Sequence, residues 1–243
     1  MSRRWPEITA VTFDVGGTLI APHPSVGALY ARAAHARGHS HLDPAILDAR
    51  FRTVWSELSA SPQRREEWQD VVDMVFEGLI PERPSESFFD ELYDTFAAPA
   101  AWQLFPDVMP ALDALSAHGL ELGIISNWDD RLRPLLAHLR LDRYVASFVV
   151  SCETGFSKPS PVIFQESLRQ LGRPAASVLH IGDSLLEDFA GATAAGMPAL
   201  HLRRDASSRD LQVQSLTEIC DWIVSQSRQP RRTFTQKFLS PDG

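Results

Sequence analysis

The chain has 243 residues, a formal net charge of −8, and 44% hydrophobic and 22% charged residues. This composition is ordinary for a globular protein, and the acidic balance argues against sequence-independent nucleic-acid binding, which needs lysine and arginine to neutralise phosphates. Cys152 and Cys220 are the only cysteines, so neither a disulfide framework nor a cysteine-rich zinc site is expected.

The N-terminal residues 1–7 contain two arginines but no apolar stretch of signal-peptide length. Elsewhere in the sequence, no apolar run approaches the roughly 18 residues that a membrane-spanning helix needs. We therefore expect a cytoplasmic protein that has no membrane partner. Both cysteines are then expected to be reduced and to act as small buried residues.

The first predicted strand covers residues 8–13, which are mainly apolar or β-branched. Gly16 and Gly17 follow it and indicate a tight turn. A short apolar run that ends in such a turn is typical of a buried strand.

The segment from residue 22 to residue 104 has a different character. Its helical patterns cover residues 26–36, 45–58, 66–79 and 88–96, and prolines fall between them, where helices should end. We find no convincing strand pattern in it. The segment is therefore predicted to be a helical insert between the first strand and the rest of the sheet.

Strand and helix patterns alternate in the remaining sequence. Strand-like runs occur at residues 120–125, 148–150, 178–181 and 199–202, and they lack the polar alternation of a half-exposed strand. Helical patterns cover residues 107–118, 132–139, Pro161–Leu171 and 185–195, and a last helix begins at Ser215. This alternation predicts an α/β fold in which helices cover a parallel sheet.

These patterns divide the chain into three parts. Residues 1–21 and 105–226 form the predicted α/β core, and residues 22–104 form the predicted helical insert. Residues 227–243 are polar and lack periodicity, which is typical of a mobile terminal tail.

Polar residues stand in four groups at or just beyond the predicted carboxyl ends of strands. The groups are Asp14, then Ser126 with Asn127, then Lys158, and last Asp183 with Asp188. In an open parallel sheet, this edge is where ligands bind. A single acid at a strand end is commonplace, but this combination in register is far less frequent by chance.

Phosphoryl transfer explains why these residue types would be gathered. A carboxylate can attack phosphorus and form an acyl phosphate. Two carboxylates and a phosphate repel one another, so a hard cation such as Mg²⁺ is needed between them. A lysine and a hydroxyl can hold the phosphoryl oxygens in the transition state, and the glycines after Asp14 can leave backbone N–H groups free to cradle phosphate.

The residues around these positions resemble the motifs of the haloacid dehalogenase-like (HAD) hydrolase superfamily. The matching stretches are Phe13-Asp14-Val15-Gly16-Gly17-Thr18-Leu19, Ile125-Ser126-Asn127, Ser157-Lys158-Pro159 and Gly182-Asp183-Ser184-Leu185-Leu186-Glu187-Asp188. Each stretch alone is weak evidence, but all of them in order, with a helical insert after the first, are specific. The resemblance implies a Rossmann-like core with a helical cap, and residues 126–132 are similar to one branch of the superfamily.

The resemblance also implies a role for each matching residue. The implied catalytic residues are Asp14 as nucleophile, Ser126 and Lys158. The implied substrate-binding residues are Ser126, Asn127, Lys158, Gly17 and Thr18. The implied ligands of a Mg²⁺ cofactor are Asp14, the Gly16 carbonyl, Asp183 and Asp188, of which Asp188 would act mainly by orienting a ligand or bound water. The implied partner is a small phosphorylated molecule.

One position departs from the pattern of the superfamily's phosphatases. They usually carry a second aspartate two residues after the nucleophile, where this chain has Gly16. That aspartate protonates the leaving oxygen, and positioned acid–base groups typically contribute about 10²–10⁴-fold to the rate. We therefore expect activity on alkyl phosphates to suffer most, whereas aryl or acyl phosphates remain possible substrates.

Several interpretations remain open at this stage. The leading one is a Mg²⁺-dependent phosphatase that acts through an aspartyl-phosphate, and the alternatives are a regulatory protein that binds a phosphorylated ligand and a 2-haloacid dehalogenase. His23 is more simply a surface-loop residue than a substitute acid, Trp128 either shapes the pocket or packs under the insert, and His180 is expected in the core.

Overall fold

A parallel β-sheet lies at the centre of the protein. The computed structural model describes residues 7–58, 60–204, 211–220 and 223. In chain order the strands are β1 Ala10–Phe13, β2 Ile20–Pro22, β3 Trp102–Leu104, β4 Glu121–Ser126, β5 Val145–Val150, β6 Val178–Gly182, β7 Ala199–Leu202 and β8 Gln212–Val213. Within these ranges, six strands form one sheet in the order β5-β4-β1-β6-β7-β8 with parallel pairing throughout.

Helices cover both faces of this sheet. In chain order they are α1 Val26–His35, α2 Pro44–Glu57, α3 Arg65–Phe76, α4 Phe89–Ala97, α5 Val108–Ala117, α6 Leu132–His138, α7 Ser151–Thr154, α8 Pro161–Leu171 and α9 Gly191–Ala194. On one face, Val11 of β1 belongs to an apolar cluster with Leu112 of α5. On the other face, Ala10 belongs to a cluster with Phe164 of α8. The predicted α/β fold with a helix-covered parallel sheet is confirmed.

Strand β1 sets the position of the residues at the carboxyl edge of the sheet. All of its residues are buried, and it pairs with β4 on one side and β6 on the other. In this register, Phe13 is opposite Ile124 and Ile181. The chain therefore leaves three neighbouring strands at nearly the same level, which brings the residues that follow them close together.

Helices α1 to α4 share an apolar cluster of their own, which includes Tyr30, Leu47 and Phe76. The prediction of no strand in this insert was wrong at its two ends, because β2 pairs antiparallel with β3 there. Each strand is only three residues long, which is too short to show a periodic pattern. The resulting two-stranded ribbon lies where the chain passes from the sheet into the insert and where it returns.

The segment 185–195 also differs from its predicted form. A π-helical turn covers residues Leu185–Ala190, and α9 begins only at Gly191. The Ser184 hydroxyl accepts a hydrogen bond from the Glu187 N–H at 3.1 Å and so caps the turn. π-helical turns are rare and occur mostly at functional sites, and this one lies next to the polar residues at the end of β6.

Among the described residues, none of the helices combines the length and apolar character that a membrane crossing requires. The predicted tail, residues 227–243, lies outside the described residues. The division into a core of residues 1–21 and 105–226 and a separate insert of residues 22–104 stays a prediction.

Candidate active site

The carboxyl ends of β1, β4 and β6 bring Asp14, Ser126 and Asp183 to one place. The Asp14 N–H donates to the Ile181 carbonyl at 2.9 Å, which fixes the start of the loop after β1 against β6. The Ser126 hydroxyl donates to Asp14 Oδ1 at 3.2 Å, and both side chains are buried. The local geometry of a parallel sheet thus accounts for this arrangement without any unusual backbone.

Lys158 completes the group around Asp14. Its Nζ donates to Asp14 Oδ1 and to Asp188 Oδ1, each at 2.6 Å, and its side chain is almost fully buried. Burial alone would lower the pKa of Lys158, but the two carboxylates more than offset this and raise it. Lys158 is therefore a permanently charged ammonium group. Burial and the nearby charge of Asp188 raise the pKa of Asp14, although Lys158 opposes this shift.

Asp188 holds Lys158 in position and is itself held by several donors. Asp188 Oδ1 lies 3.1 Å from His180 Nε2, and Oδ2 accepts from the Ser184 N–H at 3.0 Å. Burial acts to raise the pKa of Asp188, but Lys158 and His180 together keep it well below its usual range. Both Asp188 oxygens already have protein partners, so its geometry suits orienting Lys158 more directly than ligating a cation.

Two glycines allow the acids to approach the backbone this closely. Gly17 has a positive φ of 73°, and a β-carbon there would lie 2.2 Å from an Asp183 carboxylate oxygen. A β-carbon on Gly182 would lie 2.1 Å from the Asp188 carboxyl carbon. The expectation that the Gly17 N–H is free to hold phosphate was wrong, because it donates to the Ile20 carbonyl at 2.9 Å. Gly17 instead makes room for Asp183.

The three acids form a cluster that fits a divalent cation. Oxygen atoms of Asp14, Asp183 and Asp188 lie within 4.8 Å of one another. Asp183 is exposed to the cavity above the site, yet partial burial, followed by the charges of Asp14 and Asp188, raises its pKa to about 7. A hard cation bound by these oxygens would relieve that repulsion, and carboxylate oxygens are the donors that Mg²⁺ prefers.

Asn127 acts on the backbone of Lys158. Its side-chain amide donates to the Lys158 carbonyl at 3.0 Å, and its amide oxygen accepts from the Lys158 N–H at 2.7 Å. Asn127 also lines the cavity. This pair of bonds ties the loop after α7 to the residue that follows β4, so Asn127 helps to position the Lys158 ammonium group.

Gly16 has Trp128 as its neighbour across the site. A β-carbon on Gly16 would lie 3.2 Å from Trp128 Cζ3, so the indole covers the direction in which a side chain at position 16 would extend. Trp128 also packs on Trp102, with ring centroids 5.1 Å apart. Both Gly16 and Trp128 line the cavity, so Trp128 shapes the pocket and packs under the insert at the same time.

Two candidate residues lie away from the cavity wall. Thr18 has no exposed surface, and its carbonyl accepts from Arg204 Nη2 at 2.7 Å. His23 is exposed and its N–H donates to the Ala101 carbonyl at 2.8 Å beside the β2–β3 ribbon. Neither residue is among those that line the cavity.

A cavity of about 490 Å³ lies between the insert and the carboxyl edge of the sheet. Its floor contains Asp14, Ser126 and Asp183, and aromatic side chains of α1 to α4 form much of its wall. Ligand pockets commonly have about this volume and a mainly apolar wall with a few polar groups.

Buried polar contacts join the insert to the core at the cavity wall. Trp68 Nε1 of α3 donates to Asp129 Oδ2 at 2.6 Å. Arg131 donates through Nε and Nη2 to the two oxygens of the same carboxylate, at 2.9 and 2.5 Å. Its Nη1 donates to the Tyr93 carbonyl at 3.1 Å, and its guanidinium lies 3.7 Å from the Tyr93 ring centroid.

Sequence reasoning missed four features of this site. They are the contact of His180 with Asp188, the Asn127 bonds to Lys158, the Asp129–Arg131 pair, and Glu187, a half-buried cavity residue whose pKa burial raises. His180 was expected in the core, which the structure bears out because the residue has no exposed surface. Its contact with Asp188 has no signal in the local pattern.

Comparisons with known proteins agree with this geometry. A family model described as haloacid dehalogenase-like hydrolase matches residues 8–196. The chain is 30% identical over 227 residues to "Haloacid dehalogenase-like hydrolase domain-containing protein 3" of Danio rerio, covering 86% of this chain and 93% of that protein. The predicted similarity to one branch is thereby confirmed.

Two further matches bear on the chemistry of related proteins. The chain is 30% identical over 131 residues to the glyceraldehyde 3-phosphate phosphatase of Methanopyrus kandleri, covering 51% of this chain and 54% of that protein. The structure is similar to that of L-2-haloacid dehalogenase from Xanthobacter autotrophicus, with a TM-score of 0.72, 18% identity, and coverage of 90% of this chain and 99% of that chain. At that identity, the structural likeness shows the fold alone.

Proposed function

The chain belongs to the haloacid dehalogenase-like hydrolase family, and on that basis we propose that it is a Mg²⁺-dependent phosphatase that acts through an aspartyl-phosphate. The observation that supports this most directly is the setting of Asp14. A hydroxyl and an ammonium group donate to its Oδ1, at 3.2 and 2.6 Å, and two further carboxylates lie within 4.8 Å. A phosphatase relative also belongs to the set of similar proteins.

Asp14 is the nucleophile in this proposal. Because Oδ1 accepts from both Ser126 and Lys158, we assign the attack to Oδ2. The Oδ2–phosphorus bond forms while the bond from phosphorus to the leaving oxygen breaks, and the bonding pair departs with that oxygen. Ser126 and Lys158 hold the phosphoryl oxygens as negative charge develops on them.

The aspartyl-phosphate is then hydrolysed. The oxygen of a water molecule attacks phosphorus, the phosphorus–Asp14 bond breaks, and the Asp14 carboxylate is restored. The proton of that water leaves on the released phosphate or passes to solvent. Gly16 provides no carboxyl group to assist either step, so we expect slow turnover except where the leaving oxygen is stable as an anion.

Asp14 and Asp183 would hold Mg²⁺, with the Gly16 carbonyl as a further ligand and Asp188 orienting the cluster. When bound, the cation would supply charge that offsets the repulsion between the carboxylates and the phosphate. Asp188, tied to His180 and the Ser184 N–H, keeps Lys158 aimed at Asp14 throughout. We propose that the insert acts as a cap that closes over this site.

Hydrolysis of p-nitrophenyl phosphate tests this function. We expect turnover that requires Mg²⁺, is abolished by a chelator, and falls by at least about 10³-fold in Asp14→Asn, because the amide is a poor nucleophile. Acid quenching during turnover should trap phosphate on Asp14 in the wild-type chain alone. Turnover that is independent of the metal, or that is unchanged in Asp14→Asn, would contradict the proposal.

A 2-haloacid dehalogenase is the second candidate, and Gly16 is the observation that favours it. Halide leaves without protonation, so the absent carboxyl group would have no effect on the rate. The cluster weighs against it, because displacement at carbon needs Asp14 but not the repulsive Asp183 beside it. Chloride release from 2-chloropropionate, measured without added metal, would favour this candidate over the phosphatase.

A further inference from the structure

The cavity wall contains a continuous series of aromatic side chains. Ring centroids lie 5.1 to 6.2 Å apart along the series Trp128, Trp102, Phe96, Tyr30, Phe51 and Trp55. Trp68 is next, 5.9 Å from Trp55, and its indole N–H bonds to Asp129, the residue after Trp128. The last ring of the series, Trp68, is therefore bonded to the residue next to the first ring, Trp128. All seven rings line the cavity.

The size of the cavity suits a flat apolar body. An engineered apolar cavity of about 150 Å³ holds benzene, and this cavity has about 490 Å³. The space is therefore sufficient for one or two fused rings above a phosphate on Asp14. Aromatic rings that contact a bound ring edge to face, or offset, stabilise it beyond the effect of the area they bury.

The charges around the cavity disfavour a second anionic group on the ligand. Among the described lining residues, Arg131 is the one cationic side chain, and it is paired with Asp129 and stacked on Tyr93. Asp183 is taken up by the cation in this proposal, and Glu187 adds a further carboxyl group, not a cation, to the lining. A ligand with a carboxylate beyond its phosphate would therefore meet repulsion without a free cation in compensation.

The wall next to the phosphate position adds a chemical limit. An ideal β-carbon at position 16 would meet the Trp128 ring at 3.2 Å, so this part of the wall presents an indole and no carboxyl group that could protonate a leaving oxygen. Alkoxides are poor leaving groups without such a proton. Aryloxides delocalise the charge into the ring and leave more readily.

We propose that the cavity binds aryl phosphate monoesters whose aromatic body carries no further charge. The inference rests on the proposed phosphatase activity for its chemistry, while its binding part is independent of turnover. In the chemical step, Asp14 bonds to phosphorus and the phosphorus–aryl oxygen bond breaks. The bonding pair leaves on the aryl oxygen, and the aryloxide then takes a proton from water.

Equilibrium binding of stable phosphonates, measured by calorimetry with Mg²⁺ present, tests the proposal. We expect 1-naphthylmethylphosphonate to bind at least about tenfold more tightly than methylphosphonate, with benzylphosphonate between them, because each ring buries more apolar surface. Phosphonoacetate should bind no more tightly than methylphosphonate. Equal affinities across the aromatic series, or tighter binding of phosphonoacetate than of the naphthyl compound, would overturn the proposal.

A matched pair of variants on α2 locates the effect. Trp55 and Ile46 are both exposed, by 41% and 51%, but only Trp55 lines the cavity. Trp55→Ala should weaken naphthylmethylphosphonate binding about three- to tenfold and leave methylphosphonate within twofold, and Ile46→Ala should change neither. An equal loss for both ligands in Trp55→Ala would point to a general structural defect and count against the aromatic site.

Turnover of acetyl phosphate separates this inference from the function on which it rests. Acetyl phosphate is activated but has no ring, so it tests the phosphatase chemistry alone. Turnover of acetyl phosphate without preferential naphthyl binding would remove the aryl specificity and leave the phosphatase. Preferential naphthyl binding without turnover of acetyl or p-nitrophenyl phosphate would retain the aromatic site and remove the phosphatase.

Discussion

The indole of Trp128 lies 3.2 Å from the point where a β-carbon on Gly16 would stand. Such a contact is tighter than the ordinary range of 3.4–4 Å, so a side chain at position 16 requires the indole to move. The indole is restrained by Trp102, and its backbone N–H donates to Ser151 Oγ at 3.0 Å. A side chain at position 16 and the Trp128 ring in its present position would therefore conflict sterically.

We expect an acidic side chain at position 16 to assist proton transfer only when the indole of Trp128 moves aside or is removed. We expect Gly16→Asp alone to raise kcat/KM for an alkyl phosphate by less than about tenfold, because Trp128 obstructs the carboxyl group. Gly16→Asp combined with Trp128→Ala should raise it by about 10²-fold or more, as a positioned acid does. Steady-state kinetics on an alkyl and an aryl phosphate measure both.

Trp128→Ala alone is the control for this pair, and it should show no gain on the alkyl phosphate. The aryl phosphate should gain less than the alkyl phosphate in the double variant, since its leaving group needs less protonation. If the double variant gains nothing on either ester, the remaining machinery is not catalytic, and the protein is better explained as one that binds a phosphorylated ligand.

Lys158 should be important for stability as well as for activity. It is buried between Asp14 and Asp188, so Lys158→Met leaves two buried carboxylates without their counter-ion. We expect a loss of about 3 kcal/mol in the free energy of unfolding at pH 8, measured with urea, as is typical when one partner of a buried pair is removed. The loss of unfolding free energy should be smaller at pH 5, because in the variant Asp14 and Asp188 no longer have Lys158 to keep them ionised and can take up protons.

Arg173→Met provides the comparison for that loss. Arg173 donates to Glu121 at 3.0 Å, and both side chains are 40% exposed. A surface pair of this kind contributes about 0–1 kcal/mol, so the variant should remain close to the wild-type chain at both pH values. Equal losses of unfolding free energy in the Lys158 and Arg173 variants would contradict the prediction that Lys158 stabilises the fold as a buried counter-ion.

Much of the fold and the site can be predicted from the sequence because both depend on short-range patterns. The polar residues Asp14, Ser126 and Asp183 stand next to or at the ends of apolar runs that are recognisable by themselves. Parallel pairing then converts neighbouring strand ends into neighbouring positions in space, as the alignment of Phe13 with Ile124 shows. A local signal is therefore enough to gather the acids.

The cavity wall and the supporting contacts could not be predicted in this way. Tyr30 and Leu47 both belong to the apolar cluster of the insert, yet of the two only Tyr30 also lines the cavity. Which side faces the site depends on how the insert sits on the sheet, and that is set by distant pairs such as Trp68 with Asp129. The sequence likewise predicts only that His180 is a core residue. Its contact with Asp188 depends on the turn at Ser184, which the local pattern does not show.

Cation binding should depend on pH through Asp183. An aspartate has a pKa near 3.8 when unperturbed, and in the folded protein that of Asp183 is raised to about 7. A cation must displace the proton, so we expect the apparent Kd for Mg²⁺ to rise by nearly tenfold per pH unit as the pH falls below about 7. Calorimetric titration between pH 5.5 and 8.5 measures this.

The same pKa shift sets the sign of the stability change in the metal-free protein. Because the folded-state pKa is raised, ionised Asp183 opposes folding; the effect is absent below about pH 3.8, grows as the pH rises, and is complete above about pH 7. Mg²⁺ should therefore raise Tm more at pH 8 than at pH 6. Asp183→Asn should remove this difference, and a Tm increase that is equal at both pH values in the wild-type chain would contradict the assignment.

Gly17 and Gly119 allow backbone strain to be separated from loss of the cation site. Their φ angles are 73° and 76°, so an alanine at either position should lose a similar amount of stability, about 1–2 kcal/mol, from the left-handed conformation. A β-carbon at Gly17 also meets Asp183 at 2.2 Å, whereas nothing lies within 4 Å of one at Gly119. Gly17→Ala must therefore displace the carboxylate, and Gly119→Ala need not.

We expect Gly17→Ala to weaken Mg²⁺ binding by at least about tenfold, as loss of an oriented ligand does, and Gly119→Ala to leave it within twofold. Calorimetric titration at pH 8 gives the affinity, and urea unfolding gives the stability of each variant. The comparison is decisive because the strain is matched and only the contact with Asp183 differs. Equal effects of the two substitutions on Mg²⁺ affinity would mean that Asp183 does not hold the cation where we place it.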